Sequence, residues 1–380
     1  PDEKKFKKRY REWYSSHQPF HWFAEFYEII NGNGGFDVII GNPPYVEYSK
    51  VNKQYQILNL KTGGNLYAPI VEKSIIIQRN NGKFGMIIPL SGFTTERMKP
   101  LQNLLLHNAS NLWISNYEAT THPTVLFIGA QIQLSIIISD IEKLNNSNTF
   151  YSTRYLRAYT EERDNLFSLV HYVTNQYDGR LDKFLKFNDC IEESIINKMM
   201  SNKNTLNDYF SGYTQIYYRR LGNWSYKLAF KNDPKFWVNG QLQSANTINP
   251  LKVLKDYDLQ TISIINSTLF YWWWIIISNE MDLTSKHIGL FPISFTTMKK
   301  SIHKILRSLS NDLIEDYYKN SEIATYQKKR GETKFYRFFP FKSKAIIDKI
   351  DITLAEHFNF NKCELDFILN YDFKYRTGRE

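Results

Sequence analysis

The residues of this chain best placed to do chemistry are Asn42, Pro43, Pro44 and Tyr45, which follow the apolar run Phe36-Asp37-Val38-Ile39-Ile40-Gly41. The side-chain oxygen of Asn42 and the backbone carbonyl of Pro43 are two hydrogen-bond acceptors. Consecutive prolines have fixed φ and no N–H, so the turn that carries these acceptors is rigid. Such a pair suits an exocyclic amine on a conjugated ring, as in adenine. The amine lone pair is delocalised into the ring, and the nitrogen is a poor nucleophile until acceptors draw its two protons out of the ring plane. Tyr45 offers a face for an unstacked base, because an enzyme acting on a base inside a duplex must first extrude it. No metal and no strong general base is required if the methyl donor is an activated sulfonium. The plainer reading, a turn with no chemistry, is disfavoured by its place directly after Asp37-Val38-Ile39-Ile40-Gly41.

The elements around the turn must hold it at the end of a strand. Val38-Ile39-Ile40 is a β-branched run of the kind buried on both faces of a parallel sheet, and open α/β sheets bind ligands at the carboxyl ends of their strands. Patterning predicts a strand at 36–40, a helix at about 66–80, a strand at 84–88, a helix at about 95–107 and a strand at 112–117. Further strands are expected near 124–129 and 133–139. This is the second half of a doubly wound α/β sheet. The polar run 144–149 reads as a hairpin or linker, and 151–172 as a strand and helix returning to the sheet. The predicted domains are a half-sheet over 1–185, an α+β region over 186–300 and a helical segment over 301–380.

Composition narrows the class of partner. At 380 residues the chain is long enough for two or three cored domains, and its net charge of +10 with 16% aromatic residues points to nucleic acid. A basic surface serving solubility alone is the competing account of the charge. Cys190 and Cys363 match no zinc spacing and read as reduced thiols, buried or incidental, so no metal site is expected. The most apolar stretch, Leu269 to Ile277, is too short to cross a bilayer and reads as core. With a charged start in place of a signal peptide's apolar segment, this places the chain in the cytoplasm with no membrane role.

The segment 36–45 resembles the catalytic motif of adenine-specific, S-adenosylmethionine-dependent DNA methyltransferases. Asn65-Leu66-Tyr67-Ala68 with Val71-Glu72-Lys73, and Gly82-Lys83-Phe84-Gly85-Met86-Ile87-Ile88-Pro89, are similar to the helix and strand that follow that motif in the gamma class. The resemblance implies roles for Asn42, Pro43, Pro44 and Tyr45 at the target amine. It also implies an aromatic that stacks on the far side of the base. Leu126-Phe127-Ile128-Gly129 makes Phe127 the first choice, with His122 second, and packing under the following strand is the other reading of Phe127. In this class the donor site precedes the catalytic strand. Only 35 residues do so here, and Gly32-Asn33-Gly34-Gly35 reads as the turn into the strand. Pro44 and Ile70 are then the only positions expected to touch the donor, and the expectation is a fragment inactive on its own. Magnesium is implied only if a nuclease lies upstream.

Further along, Tyr217-Tyr218-Arg219-Arg220-Leu221-Gly222-Asn223-Trp224, Asn266 to Trp274, and Asp366 to Tyr375 resemble the specificity region of single-chain type IIG restriction–modification enzymes, which implies double-stranded DNA as partner. Arg219 and Arg220 match guanine and phosphate geometry. Tyr217, Tyr218, Trp224 and Tyr226 are candidates for stacking or wedging, and Lys286 for a backbone contact. A packed face and a solvated face of one antiparallel strand would give the same pattern. Trp272-Trp273-Trp274 read as core, and Ile346, Ile347, Ile350, Leu354 and Phe358 as the buried stripe of a helix. Two other functions share parts of this pattern: a protein-glutamine methyltransferase, whose target amide poses the same nucleophilicity problem, and a DNA-specificity module that transfers nothing. Oligomeric state is open.

Overall fold

Gly34 and Gly35 turn the chain into β1 (Phe36–Gly41). Both have positive φ, +76° and +127°, and a Cβ on Gly35 would stand 2.5 Å from the backbone nitrogen of Arg79. The glycine cluster is therefore the turn that lets β1 approach its neighbour. A computed structural model describes residues 2–18, 20–51, 64–118, 126–127, 132–143, 149–158, 160–177, 181, 183–221, 226–328 and 331–376.

Following β1 come β2 (Gln78–Pro89), β3 (Ala109–Tyr117), β4 (Leu134–Ile141), β5 (Thr149–Leu156) and β6 (Val173–Gln176). They form one six-stranded mixed sheet in the order β1-β2-β4-β3-β5-β6. β1 and β2 are parallel, with Ile40 opposite Gly85 and Gly41 opposite Met86, whereas β2 and β4 are antiparallel. The β1-to-β2 crossover is the helix Tyr67–Ile77, which buries Tyr67, Ala68, Val71, Ser74 and Ile75. With helices beside it, the sheet is the α/β layer that the alternating pattern predicts.

Burial of β1 differs from expectation. It lies at the end of the sheet order and none of its residues is buried; Val38 is 57% and Ile40 79% exposed. An edge strand has one neighbour, so its apolar run is only partly covered. The Lys-rich, aromatic start forms the helix Glu3–His17, capped by Asp2, and also buries no side chain.

By contacts the chain divides into two compact units, one of residues 1–92, 97–114 and 134–151, the other of 93–96, 115–133 and 152–380. The second unit contains β7 (Phe210–Arg219), β8 (Ala229–Phe230), β9 (Phe236–Val238), β10 (Gln241–Gln243), β11 (Ile248–Val253), β12 (Glu322–Lys328) and β13 (Gly331–Arg337). They make a three-stranded sheet, β11-β7-β8, and a four-stranded one, β10-β9-β13-β12. The core is the helix Thr268–Ile277, in which all ten residues are buried, Trp272, Trp273 and Trp274 among them. Its N-terminus is held twice. The Ser267 hydroxyl accepts from the Phe270 N–H (3.0 Å), and the Asp351 carboxylate accepts from the N–H groups of Thr268 and Leu269 (3.1 and 3.0 Å). This satisfies orphan donors where no water reaches. Trp272 donates its indole N–H to Glu192 at 3.0 Å.

Also buried in this unit is a charge cluster. Arg157 lies 3.4 Å from Glu118, 3.3 Å from Glu280 and 3.0 Å from Asp372. The surroundings of the buried carboxyl of Glu280 push it up to about 8, chiefly through loss of water.

The expectation of helix after 300 holds for Lys300–Lys319, Lys344–Phe358 and Lys362–Asn370; of the expected stripe, Ile347, Ile350, Leu354 and Phe358 are buried, whereas Ile346, on the flank of that face, is half-buried. It fails at 322–337, where β12 and β13 pair as an antiparallel hairpin. Thr325, Tyr326, Thr333, Phe335 and Tyr336 favour a pleated surface, and this local preference prevails over the helical context. Cys190 and Cys363 are free and exposed, so neither is a buried thiol. Among the described residues, no helix is long and apolar enough to cross a membrane, and no group of His, Cys, Asp and Glu has a metal-binding arrangement.

Candidate functional site

The turn stands at the carboxyl end of β1, where the parallel pairing to β2 ends at Gly41 opposite Met86. Asn42 is exposed, Pro43 buried, Pro44 exposed and Tyr45 half-buried. The Tyr45 hydroxyl lies 2.6 Å from Asn42 Oδ1 and 2.9 Å from the carbonyl oxygen of Ile87 in β2. One proton serves both acceptors, so the hydroxyl bridges the carboxamide to the neighbouring strand. Burial pushes the phenol up to about 12, which keeps it a donor. Asn42 Oδ1 retains a second lone pair for another donor. Sequence reasoning gave Tyr45 a ring to offer and missed this use of its hydroxyl, which depends on the position of β2.

The chain leaving the turn is fixed. Val46 accepts from the Leu66 N–H at 2.9 Å, Tyr48 donates to the Gly64 carbonyl at 2.8 Å, and Glu47 forms a two-pronged pair with Arg97 (3.0 and 3.5 Å). Rigid proline geometry is thus tied to the first turn of the Tyr67–Ile77 helix.

Beside β1 lies a cavity of about 730 Å³ lined by Trp22, Val38, Ile40, Pro44 and Ile70 among others, with Lys73 and Ser74 the polar side chains. Pro44 and Ile70, the two positions expected at the donor, both border it. The apolar walls suit the flat part of a nucleoside. A sulfonium nucleoside also carries ribose hydroxyls and an ammonium group, and no carboxylate lines the cavity among the described residues. The residues present do not fit the whole donor.

The remaining candidates belong to the second unit. Phe127 is 40% exposed, and the Leu126 carbonyl before it accepts from Arg163 at 2.8 Å. His122, Trp224 and most of the strand expected at 124–129 lie outside the described residues. Along β7 the alternation is as the sequence suggests: Tyr218 is buried at 3% exposure, Tyr217 is half-buried and Arg219 exposed. Tyr218 therefore packs inward and cannot stack on a base as the structure stands. The Tyr217 hydroxyl is held by Gln215 at 2.7 Å. Arg220 pairs with Asp282 at 3.3 Å, and Lys286, in the short helix Ser285–Gly289, pairs with Glu96 at 2.5 Å.

Comparison with known proteins shows what parts of this chain resemble. Residues 2–121 match the family model of the Eco57I restriction-modification methylase. Among curated proteins, 89 residues are 36% identical to the "Putative type II restriction enzyme and methyltransferase RM.MjaORFECS2P" of Methanocaldococcus jannaschii, covering 23% of this chain and 8% of that protein. Two solved structures are similar at low identity. A nuclease-deletion mutant of the Type ISP restriction-modification enzyme LlaGI in complex with a DNA substrate mimic is 10% identical, with 79% of this chain and 39% of that chain covered and a TM-score of 0.41. The type IIG restriction endonuclease BpuSI is 8% identical, with 90% and 54% covered and a TM-score of 0.29. The chain spans less than two thirds of each of these relatives.

Proposed function

We propose that this chain carries the acceptor side of an S-adenosylmethionine-dependent DNA methylation at the N6 amine of adenine, within a type IIG restriction–modification enzyme. The observation that carries the reading is the Asn42 carboxamide, fixed at the end of β1 by the Tyr45 hydroxyl and backed by Pro43. The free lone pair of Asn42 Oδ1 accepts one proton of the amine and the Pro43 carbonyl accepts the other. When the nitrogen bonds to the methyl carbon of a sulfonium donor and that carbon's bond to sulfur breaks, the nitrogen would gain positive charge, so both hydrogen bonds strengthen in the transition state, and the surplus proton would then leave to water. That difference, and not tight binding of the base, is what accelerates the step. The Tyr45 ring supports the extruded base and its hydroxyl positions Asn42. The second unit reads the DNA, with Arg219 and Arg220 as its contacts.

Among the described residues no carboxylate lines the β1 cavity, which favours a second reading, in which these 380 residues alone bind DNA and transfer nothing. One experiment addresses both. In an enzyme that supplies the donor site, Asn42→Ala should slow methyl transfer to adenine by roughly 10²- to 10³-fold while leaving DNA affinity intact. Normal turnover in that variant would overturn the proposal.

A further inference from the structure

The hairpin that the sequence concealed builds a site of its own. In the four-stranded sheet, Phe236 of β9 lies opposite Phe335 of β13, and Tyr326 of β12 sits diagonally across from Phe335 on the same face. The rings are stacked: Phe236 and Phe335 have centroids 6.3 Å apart at 26°, and Phe335 and Tyr326 5.7 Å apart at 8°. Arg337 shares this face, with its guanidinium 5.8 Å from the centre of the Tyr326 ring and a hydrogen bond to the Tyr326 hydroxyl.

This ladder forms one wall of a cavity of about 390 Å³ whose lining also includes Arg219 and Lys235. The volume is in the range of small-ligand sites, roughly 300–1,000 Å³. Among the described residues its lining holds three cations and no carboxylate. Arg337 has a distant partner in Glu322 at 3.9 Å, and among the described residues neither Arg219 nor Lys235 has an ion-pair partner. Phe236 and Phe335 are half-exposed and Tyr326 is 42% exposed, so the wall is open to a ligand.

A stacked aromatic face bordered by three cations, none with a carboxylate nearer than 3.9 Å among the described residues, fits a flat ring attached to an anion. We propose that this cavity binds a nucleotide, its base laid on the ladder of Tyr326, Phe335 and Phe236 and its phosphate held by Arg219, Lys235 and Arg337. It is a second nucleotide site, additional to the turn at Asn42, and it rests on the part of the preceding reading that makes the chain a DNA binder. An apolar guest would leave the three cations unused, and a bare phosphate would leave the rings uncovered. Stacking tolerates any base, so the site adds affinity for an unpaired nucleotide without selecting its identity.

The test uses the 380-residue chain. A labelled single strand of mixed sequence and free deoxyadenosine monophosphate are titrated separately at low salt. Tyr326→Ala should weaken strand binding roughly 5- to 150-fold, the loss of one base stack, and Tyr326→Phe, which keeps the ring, should restore it. Lys235→Gln lies on an exposed position to which no other DNA contact is assigned, and should lower the salt dependence by about one counterion even if the ring variant fails to fold. Binding of the free nucleotide with the same Tyr326 dependence supports the site and makes mononucleotides its source; binding of the strand alone supports it and makes DNA the source. Equal strand affinity in folded Tyr326→Ala and the parent chain, or an unchanged salt slope in Lys235→Gln, overturns the proposal. Loss of adenine specificity in the intact enzyme, with the Tyr326 effect preserved, would instead refute the methylation reading and leave this one standing.

Discussion

Replacing Tyr45 by Phe separates the two jobs assigned to this residue. The ring that supports the base stays, and the hydroxyl that holds Asn42 goes. Because one proton is shared between Asn42 Oδ1 at 2.6 Å and the Ile87 carbonyl at 2.9 Å, the loss amounts to a single neutral hydrogen bond, about 1 kcal/mol. If all of it is felt as a looser carboxamide in the transition state, the rate of methyl transfer falls about 5-fold. Asn42→Ala removes the acceptor itself. By analogy with the removal of one preorganised donor from an oxyanion site, its cost is about 3–4 kcal/mol, or roughly 10²- to 10³-fold. Tyr45→Ala loses the stack as well, about 1–3 kcal/mol, and so weakens binding of the extruded base. The assay is single-turnover transfer of a labelled methyl group by an enzyme supplying the donor site, with DNA affinity measured in parallel. The phenol is pushed up to about 12, so the ratio of parent to Tyr45→Phe rates should be flat from about pH 6 to 9. A Tyr45→Phe enzyme as slow as Asn42→Ala would refute the division of labour, because the hydroxyl would then act on the amine and not on Asn42.

Calorimetric titration of S-adenosylmethionine into the 380-residue chain should give little heat, because no carboxylate lines the β1 cavity among the described residues; tight binding would show that the polar anchors are present after all. Arg157→Ala leaves the carboxylates of Glu118 and Asp372 without their shared cation, so urea unfolding should show a loss of about 3–5 kcal/mol. Asp351 gives a pH dependence. Burial raises its carboxyl from 3.8 to about 6, so the folded chain holds this proton more tightly than the unfolded one. Stability from this group is therefore full below about pH 4 and is lost as pH rises to about 6, a decline of roughly 3 kcal/mol. Asp351→Asn should remove that decline, and unfolding midpoints of the two chains that run parallel from pH 4 to 7 would contradict it.

Where a feature depends on neighbours in the chain, it was readable in advance. The Gly34-Gly35 turn into β1, the strand and its crossover helix, the Asn-Pro-Pro-Tyr turn at the strand's end, and the burial of Trp272-Trp273-Trp274 all follow from local residue types and their spacing. Alternation along β7 was also legible, though not which face is covered: Tyr218 turned inward and Arg219 outward. The hairpin at 322–337 was missed because it stands between two long amphipathic helices, although Thr325, Tyr326, Thr333 and Phe335 carry the strand preference.

The sequence by itself determined the chemistry on offer: two acceptors on a stiff proline turn, an aromatic beside them, and a surplus of positive charge. That information is local, since backbone restriction by proline and the acceptor capacity of an amide do not depend on distant residues. Only the tertiary structure decided how these groups are held. The Tyr45 hydroxyl reaches Asn42 and Ile87 together because β2 lies beside β1, and Asp351 caps a helix that begins 83 residues earlier. Arg157 finds three carboxylates from separate parts of the chain, and Phe236 meets Phe335 and Tyr326 across strands. Each of these contacts closes a long loop, and its register is set by packing, which no stretch of neighbouring residues encodes.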